Sequence, residues 1–186
     1  MKTKFIASIF LAASMSLALL GCGEDSTNEV DNAGSVSTIE ESASDEEESG
    51  ISPGDYDDAL EFLEAYTEGI EENSSSMVDE IAHAAEKEAN YSGAKLKDEA
   101  LEYISENYPD YFTNNNVMET TMFYGYYLEY VYADEGSDNT YANLGMDTYQ
   151  VVKYVYRGTE TVDDDNVQAN LEQIAEALTA LGYLDE

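Results

Sequence analysis

Apolar residues recur every three or four positions from residue 53 onward, which is the spacing of amphipathic α-helices. The clearest stretch lies near the end of the chain and consists of Val167, Leu171, Ile174, Leu178 and Leu181. Three aspartates at 163–165 precede it, where a helix dipole favours negative charge, and Gly182 follows as a stop. This pattern predicts a helix between the aspartates and the glycine.

The same periodicity predicts further helices, separated by polar breaks. Ser52-Pro53-Gly54-Asp55 is typical of a helix start, with serine as cap and proline in the first turn. Other predicted helices are Met77 to about Asn90, Ala94 to Asn107, about Asn116 to 134–136, and about Tyr141 to Val155. The last of these contains Val151 and Val152, which could form a strand, but the longer helical stripe outweighs that alternative. We predict an all-α fold: a compact bundle of four to six helices.

The helix that begins near Asn116 is apolar on two sides. Its main stripe comprises Val117, Thr121, Tyr124, Leu128 and Val131. At 100° per residue, the opposite side carries Phe123, Tyr126, Tyr127 and Tyr130. Burial at the centre of the bundle is the preferred interpretation, and the alternative is an aromatic contact surface for a protein or a sugar polymer. Gly125, between these aromatic residues, is expected to permit close helix approach.

The first 21 residues have the pattern of a signal peptide. Lys2 and Lys4 form a basic start, and an uncharged apolar run follows from Phe5 to Leu20. The run ends in Leu19-Leu20-Gly21-Cys22, which resembles the lipobox of bacterial lipoproteins. That resemblance implies cleavage before Cys22 and a diacylglycerol on its thiol. The implied partner is therefore the membrane, reached through the lipid on Cys22 at the extracytoplasmic face.

Residues 22–52 are expected to form the lipidated cysteine and a disordered linker. The segment 23–52 holds ten acids, many serines and no lysine or arginine. Such a segment cannot bury enough apolar area to offset the entropy of ordering its backbone, and like charges keep it extended. The predicted domains are thus a signal peptide at 1–21, the linker at 22–52 and a helical domain at 53–186.

Charge limits the classes of partner. The chain has 41 acidic and 7 basic residues, a formal net charge of -34. Removal of the leader with its two lysines would bring the charge to -36. We expect no binding to nucleic acid, because such binding needs a basic surface. Attraction to anionic lipid headgroups is disfavoured for the same reason.

No catalytic constellation is visible in the sequence. His83 is the only histidine and is expected to face solvent, and Cys22 is the only cysteine. We therefore predict no metal site, no cofactor and no catalytic residue. Lys153 and Arg157 are expected to pair with nearby carboxylates such as Glu160.

The segment from Asn116 to Leu181, centred on residues 149–158, is similar to small helical domains in uncharacterised surface lipoproteins of anaerobic Gram-positive bacteria. That similarity implies a location at the cell surface, and it assigns no activity to the protein. The preferred hypothesis is a non-enzymatic surface module that binds an envelope protein or polysaccharide. The alternatives are an envelope hydrolase that uses paired carboxylates, and a lipoprotein that excludes superinfecting phage.

Overall fold

The computed structural model describes residues 50–135 and 139–185. These residues form six α-helices and contain no strand, which confirms the predicted all-α bundle. The helices are α1 (Ala59–Tyr66), α2 (Ser75–Ser92), α3 (Lys97–Glu106), α4 (Asn115–Tyr132), α5 (Thr140–Tyr156) and α6 (Asp165–Leu181). Short 3₁₀ turns occur at Pro53–Asp55, Gly93–Leu96 and Ala133–Glu135.

The predicted leader, Cys22 and most of the predicted linker lie outside the described residues. Within the described part of the chain, no helix is both long enough and apolar enough to cross a bilayer.

Polar side chains fix where several helices begin. Asp58 Oδ1 accepts hydrogen bonds from the backbone N–H groups of Leu60 and Glu61, both at 2.9 Å, so α1 begins at Ala59. The predicted start at Ser52 is wrong, because Pro53–Asp55 forms only a single 3₁₀ turn. Gly54 is a weak helix former. Ser74, Asn114 and Asn139 cap α2, α4 and α5 in the same way as Asp58.

The last two helices follow the predicted pattern. In α6 the four residues Val167, Leu171, Ile174 and Leu178 are buried, and Gly182 ends the helix with a φ of 82°. A left-handed φ of this kind favours glycine. The segment that contains Val151 and Val152 is helical, so the strand alternative is wrong.

Helix α4 is the centre of the bundle. Helices α2, α3 and α5 pack against it, α1 packs on α2, and α6 packs on α5. Asn115 at the start of α4 donates to Glu72 just before α2, and Tyr130 near the end of α4 meets Asn90 near the end of α2. Helices α2 and α4 are therefore parallel. The rings of Tyr132 and Tyr141 meet beside the connection between α4 and α5, and Tyr156 at the end of α5 bonds to Glu119 near the start of α4, so these two helices are antiparallel.

Candidate functional site: a tyrosine cluster on the central helix

The structure divides the four aromatic residues of the predicted contact surface into two pairs. Phe123 and Tyr127 are fully buried. Tyr126 is half-buried, and Tyr130 is 37% exposed. The prediction of one contact surface made of all four residues is therefore wrong, because α4 lies at the centre of the bundle and its side with Phe123 and Tyr127 is covered. The preferred interpretation, a central helix, is confirmed for that side.

Tyr127 has a structural role in the turn between α2 and α3. Its hydroxyl accepts a hydrogen bond from the backbone N–H of Leu96 at 3.1 Å and donates to the carbonyl oxygen of Gly93. These bonds satisfy two backbone groups that the Gly93–Leu96 turn would otherwise leave without partners. Phe123 packs edge-on against Tyr124, with ring centroids 5.4 Å apart. Neither ring is available to a ligand.

Tyr126 and Tyr130 form the accessible pair. They are four residues apart, so they project from the same side of α4. Their rings are stacked at a centroid distance of 6.5 Å and an interplanar angle of 22°. Two nearly parallel phenol rings on a partly exposed helix face offer apolar area together with hydroxyl groups.

Helix α2 contributes polar groups beside this pair. The Tyr130 hydroxyl donates to Glu86 Oε1 at 3.3 Å, and Asn90 Nδ2 donates to the Tyr130 hydroxyl at 3.4 Å. Glu86 and Asn90 are also four residues apart, so one face of α2 supplies both. The Tyr130 hydroxyl is thereby bonded to both a carboxylate and an amide.

Helix α5 contributes a third aromatic ring and a cation. The Tyr149 ring meets the Tyr126 ring edge-on at a centroid distance of 5.0 Å. Lys153 Nζ lies 4.7 Å from the centroid of Tyr149 and 5.2 Å from that of Tyr154. Glu160, the predicted example of a nearby partner, makes no ion pair with Lys153 in the described ranges, because the lysine Nζ lies over these two rings. Arg157, likewise, has no ion pair with Glu160 among the described residues.

We call the six residues Glu86, Asn90, Tyr126, Tyr130, Tyr149 and Lys153 the tyrosine cluster. Burial raises the pKa of Tyr126, and the charges of Glu86 and Glu129 raise it further. Burial, with smaller contributions from Tyr126 and Asp79, raises the pKa of Tyr149 to about 12. Both rings are therefore neutral phenols at physiological pH, able to donate hydrogen bonds but not to act as phenolate nucleophiles.

Lys153 is the charged member most affected by its surroundings. Burial lowers its pKa, and the positive charge of Arg157 lowers it further. Glu129 and Asp79 act in the opposite direction. Burial also raises the pKa of Glu129, with Lys153 opposing that rise. Lys153 in the cluster and Glu129 beside it are thus partly desolvated groups of opposite charge, which respond to the approach of another charged group.

An open cavity adjoins the cluster. It has a volume of about 570 Å³ and is lined by Gly50, Ile51, Ser52, Pro53, Lys87, Asn90 and Tyr91. Asn90 belongs to both the cavity and the tyrosine cluster, so the two surfaces meet at this residue. Tyr91, at 62% exposed, is the most exposed large apolar side chain in the described part of the chain. An extended ligand can contact both surfaces.

The remaining sequence candidates lie elsewhere. His83 is exposed, as predicted, and its Nδ1 is 3.9 Å from Glu80 on the same helix. Residues 50–135 and 139–185 contain no group of three or more histidine, cysteine or acidic side chains placed to hold a metal ion. Cys22, the predicted lipidation site, lies outside those ranges.

Sequence reasoning found Tyr126 and Tyr130 but missed their partners on α2 and α5. Each of the three helices supplies two residues at a spacing of four: 86 and 90, 126 and 130, 149 and 153. This spacing can be read from the sequence. Which helices are neighbours cannot, because parallel packing of α2 and α4 depends on contacts 40 or more residues apart.

Comparison with known proteins returned nothing: no family model, no curated protein and no solved structure matches this chain.

Proposed function

We propose that this protein is a lipid-anchored module on the outer face of a bacterial membrane, and that it binds an envelope partner through the tyrosine cluster. The proposal combines the lipobox-like sequence that ends at Cys22 with the cluster on the helical domain. The observation that carries the binding role is the partly exposed pair Tyr126 and Tyr130, backed by the Tyr149 ring and flanked by Glu86 and Asn90.

Tyrosine rings with polar neighbours suit binding better than they suit folding alone. Tyrosine is enriched where proteins meet partners, because it combines a large apolar face with a hydroxyl and loses little rotamer freedom. Tyr130 and Tyr91 remain 37% and 62% exposed, and Asn90 connects them, since it bonds to Tyr130 and lines the cavity with Tyr91. Their exposure beside a cavity supports a contact surface.

The anchoring part of the proposal is tested by mass spectrometry and fractionation of the native protein. We expect the mature chain to begin at Cys22, to carry a diacylglycerol on that thiol and to sediment with membranes. The Cys22→Ser variant should remain as an uncleaved precursor or be released without lipid. A native protein with an unmodified N-terminal methionine, free of membranes, would contradict the anchor.

The binding part is tested by photo-crosslinking in intact cells. A photoreactive phenylalanine analogue replaces Tyr130 in one strain and Tyr183 in a matched control strain. The two side chains are equally exposed at 37%, but Tyr183 follows α6 and lies outside the cluster. We expect a discrete crosslinked product from position 130 that is absent from position 183.

A second substitution tests whether the cluster itself recognises the partner. Tyr126→Ala, added to the strain with the photoreactive group at 130, should reduce the crosslinked product severalfold, because it removes the ring stacked on position 130. Circular dichroism of the purified variant checks that the bundle remains helical. Equal products at 130 and 183, or a product that Tyr126→Ala leaves unchanged, would count against the binding role.

One pair of carboxylates keeps the envelope-hydrolase hypothesis as a second candidate. Burial raises the pKa of Glu129 on α4 and of Asp147 on α5, and the charge of Asp147 adds to the rise at Glu129. Acid-catalysed glycoside hydrolysis uses an acid with a raised pKa together with a second carboxylate about 5–9 Å away. Hydrolysis of isolated cell-wall polymer that disappears in both Glu129→Gln and Asp147→Asn would favour this candidate.

A further inference from the structure

Lysine side chains in this protein repeatedly lie over tyrosine rings. The described residues include four lysines, at 87, 95, 97 and 153. Three of them place Nζ within 6 Å of a tyrosine centroid: Lys87 over Tyr66 at 5.7 Å, Lys97 over Tyr141 at 5.5 Å, and Lys153 over Tyr149 at 4.7 Å. The negative face of the ring attracts an ammonium group at such distances.

Tyr126 and Tyr130, the accessible pair of the tyrosine cluster, offer the same kind of ring face but hold no cation over it among the residues that the structure describes. No lysine or arginine in the described ranges lies over the ring of Tyr126 or Tyr130. The Glu86 carboxylate stands at 3.3 Å from the Tyr130 hydroxyl, beside these rings. A ring face next to a carboxylate offers an ammonium group two attractive contacts at once.

Long-range electrostatics favour the same ligand. The chain has a formal net charge of -34, so basic partners are attracted from a distance and acidic partners are repelled. Near the rings, Asp79 and Glu129 act on Lys153, and Glu86 acts on Tyr126. Around the rings, the three carboxylates Glu86, Glu129 and Asp79 thus outnumber the two cations Lys153 and Arg157.

We infer that the tyrosine cluster docks a basic segment of an envelope protein, with a lysine side chain of that segment placed over Tyr126 and Tyr130 and against Glu86. This inference rests on the proposed binding role and names the chemistry of the partner. The adjoining cavity favours a polypeptide over a simple polyamine. Ile51, Pro53 and Tyr91 give the cavity apolar surface for a neighbouring non-basic side chain, and Asn90 offers an amide to a peptide backbone.

The experiment is a calorimetric titration of the whole protein, purified in a neutral detergent. The probe is a tetralysine peptide with blocked ends, which carries four ammonium groups. Its matched controls are the same peptide acetylated on all four side chains, spermine with four amines, and a neutral chitin hexasaccharide. We expect saturable binding of tetralysine, at least tenfold weaker binding of the acetylated peptide, and weaker binding of spermine.

Substitutions at Tyr130 separate ring chemistry from apolar area. Tyr130→Phe keeps the aromatic face, whereas Tyr130→Leu keeps an apolar side chain without one. We expect Tyr130→Leu to weaken tetralysine binding at least fivefold and Tyr130→Phe to weaken it less. Glu86→Gln should weaken it severalfold. Tyr183→Leu and Glu176→Gln, exposed positions of α6 or just beyond it, serve as controls and should leave binding within twofold.

Each contrary result overturns the inference. Tetralysine binding that is equal in Tyr130→Leu and Tyr130→Phe would show that bulk charge or apolar area, rather than the ring, holds the peptide. Spermine as tight as tetralysine, or binding of the neutral hexasaccharide alone, would assign the cluster to another ligand. No binding of tetralysine, with the crosslink from position 130 intact, would leave the binding role standing and remove only the basic segment.

Discussion

Gly125 on α4 and Gly145 on α5 face each other where the two helices cross. A Cβ atom placed on Gly145 would lie 2.5 Å from the carbonyl oxygen of Gly125 and 2.5 Å from the amide nitrogen of Glu129. A Cβ on Gly125 would lie 2.9 Å from the amide nitrogen of Tyr149. The backbones are therefore in direct contact, and this contact brings Tyr149 to the side of Tyr126.

Gly145→Ala should destabilise the protein strongly, because the obstructing atoms belong to backbone and cannot rotate away. Overpacking of this kind costs about 3 kcal/mol, at the upper end of the usual range. Urea unfolding followed by circular dichroism measures the change. Gly50→Ala is the matched control, since a Cβ there meets nothing within 4 Å, and it should be neutral. Equal stability of the two variants would contradict the close crossing.

Tyr156→Phe should destabilise the contact between the end of α5 and the start of α4. The Tyr156 hydroxyl donates to Glu119 Oε1 at 2.5 Å. Burial raises the pKa of Glu119, and the bond from Tyr156 lowers it, so removing the hydroxyl leaves the carboxylate less well compensated. A hydrogen bond to a charged group contributes about 1.5 kcal/mol.

The double-mutant cycle of Tyr156→Phe with Glu119→Gln isolates the contribution of the negative charge to that bond, because the glutamine oxygen still accepts from the hydroxyl. We expect a coupling free energy of about 1 kcal/mol at neutral pH. The pair should lose its coupling at low pH, once Glu119 is protonated. Strictly additive effects at neutral pH would show that the two side chains do not depend on each other.

The positions of the helices and their buried faces can be predicted from the sequence where the pattern acts within a single helix. The stripe from Val167 to Leu178 is buried as its spacing predicts, and Gly182 takes the left-handed φ that glycine favours. The predicted start of α1 is too early, because a Ser-Pro-Gly-Asp sequence suits both a helix start and a 3₁₀ turn. The competing cap, Asp58, decides between them through its bonds to two backbone N–H groups.

The candidate site was predicted only in part, for a different reason. The aromatic side of α4 could be identified by its angular position, but the split of that side depends on its neighbours. Tyr127 is covered because the Gly93–Leu96 turn lies over its hydroxyl, whereas Tyr130 borders the more open side of α2. Helix periodicity gives the direction in which a side chain points from the helix axis. It does not tell which of those directions is covered by a neighbouring helix or turn.

Thr148→Val should stabilise the protein or leave it unchanged. Thr148 on α5 is fully buried, and its hydroxyl has no hydrogen-bond partner in the part of the chain that the structure describes. Valine has nearly the same shape and removes the cost of burying that hydroxyl, about 1 kcal/mol. The measurement is the free energy of unfolding in urea.

The control for this change is Thr121→Val on α4. Thr121 is equally buried, but its hydroxyl donates to the carbonyl oxygen of Val117 at 2.6 Å. Its replacement should therefore gain less than Thr148→Val, or destabilise the protein. A loss of stability in Thr148→Val as large as that in Thr121→Val would indicate that the Thr148 hydroxyl is satisfied after all.

Lowering the pH from 8 to 5 should raise the thermal midpoint of unfolding. Burial raises the pKa of Glu88, Glu119, Glu129 and Asp147 in the folded chain. The folded state therefore binds more protons than the unfolded state once the pH exceeds the ordinary carboxyl range. By linkage, the free energy of unfolding falls as the pH rises above the ordinary carboxyl range, and it is regained on acidification. The same titration reduces the self-repulsion of a strongly negative chain.

Glu88→Gln tests how much of this dependence comes from one buried group. Glu88 is 5% exposed in α2, and the charge of Glu99 adds to the effect of burial on its pKa. The variant should be more stable than the native protein at pH 8 and should gain less from acidification, because a neutral amide carries no desolvated charge. Glu176→Gln, on an exposed position of α6, should leave the slope nearly unchanged. Thermal unfolding at several pH values measures both slopes. A native protein that loses stability between pH 8 and pH 5, or a Glu88→Gln variant with an unaltered slope, would contradict the argument.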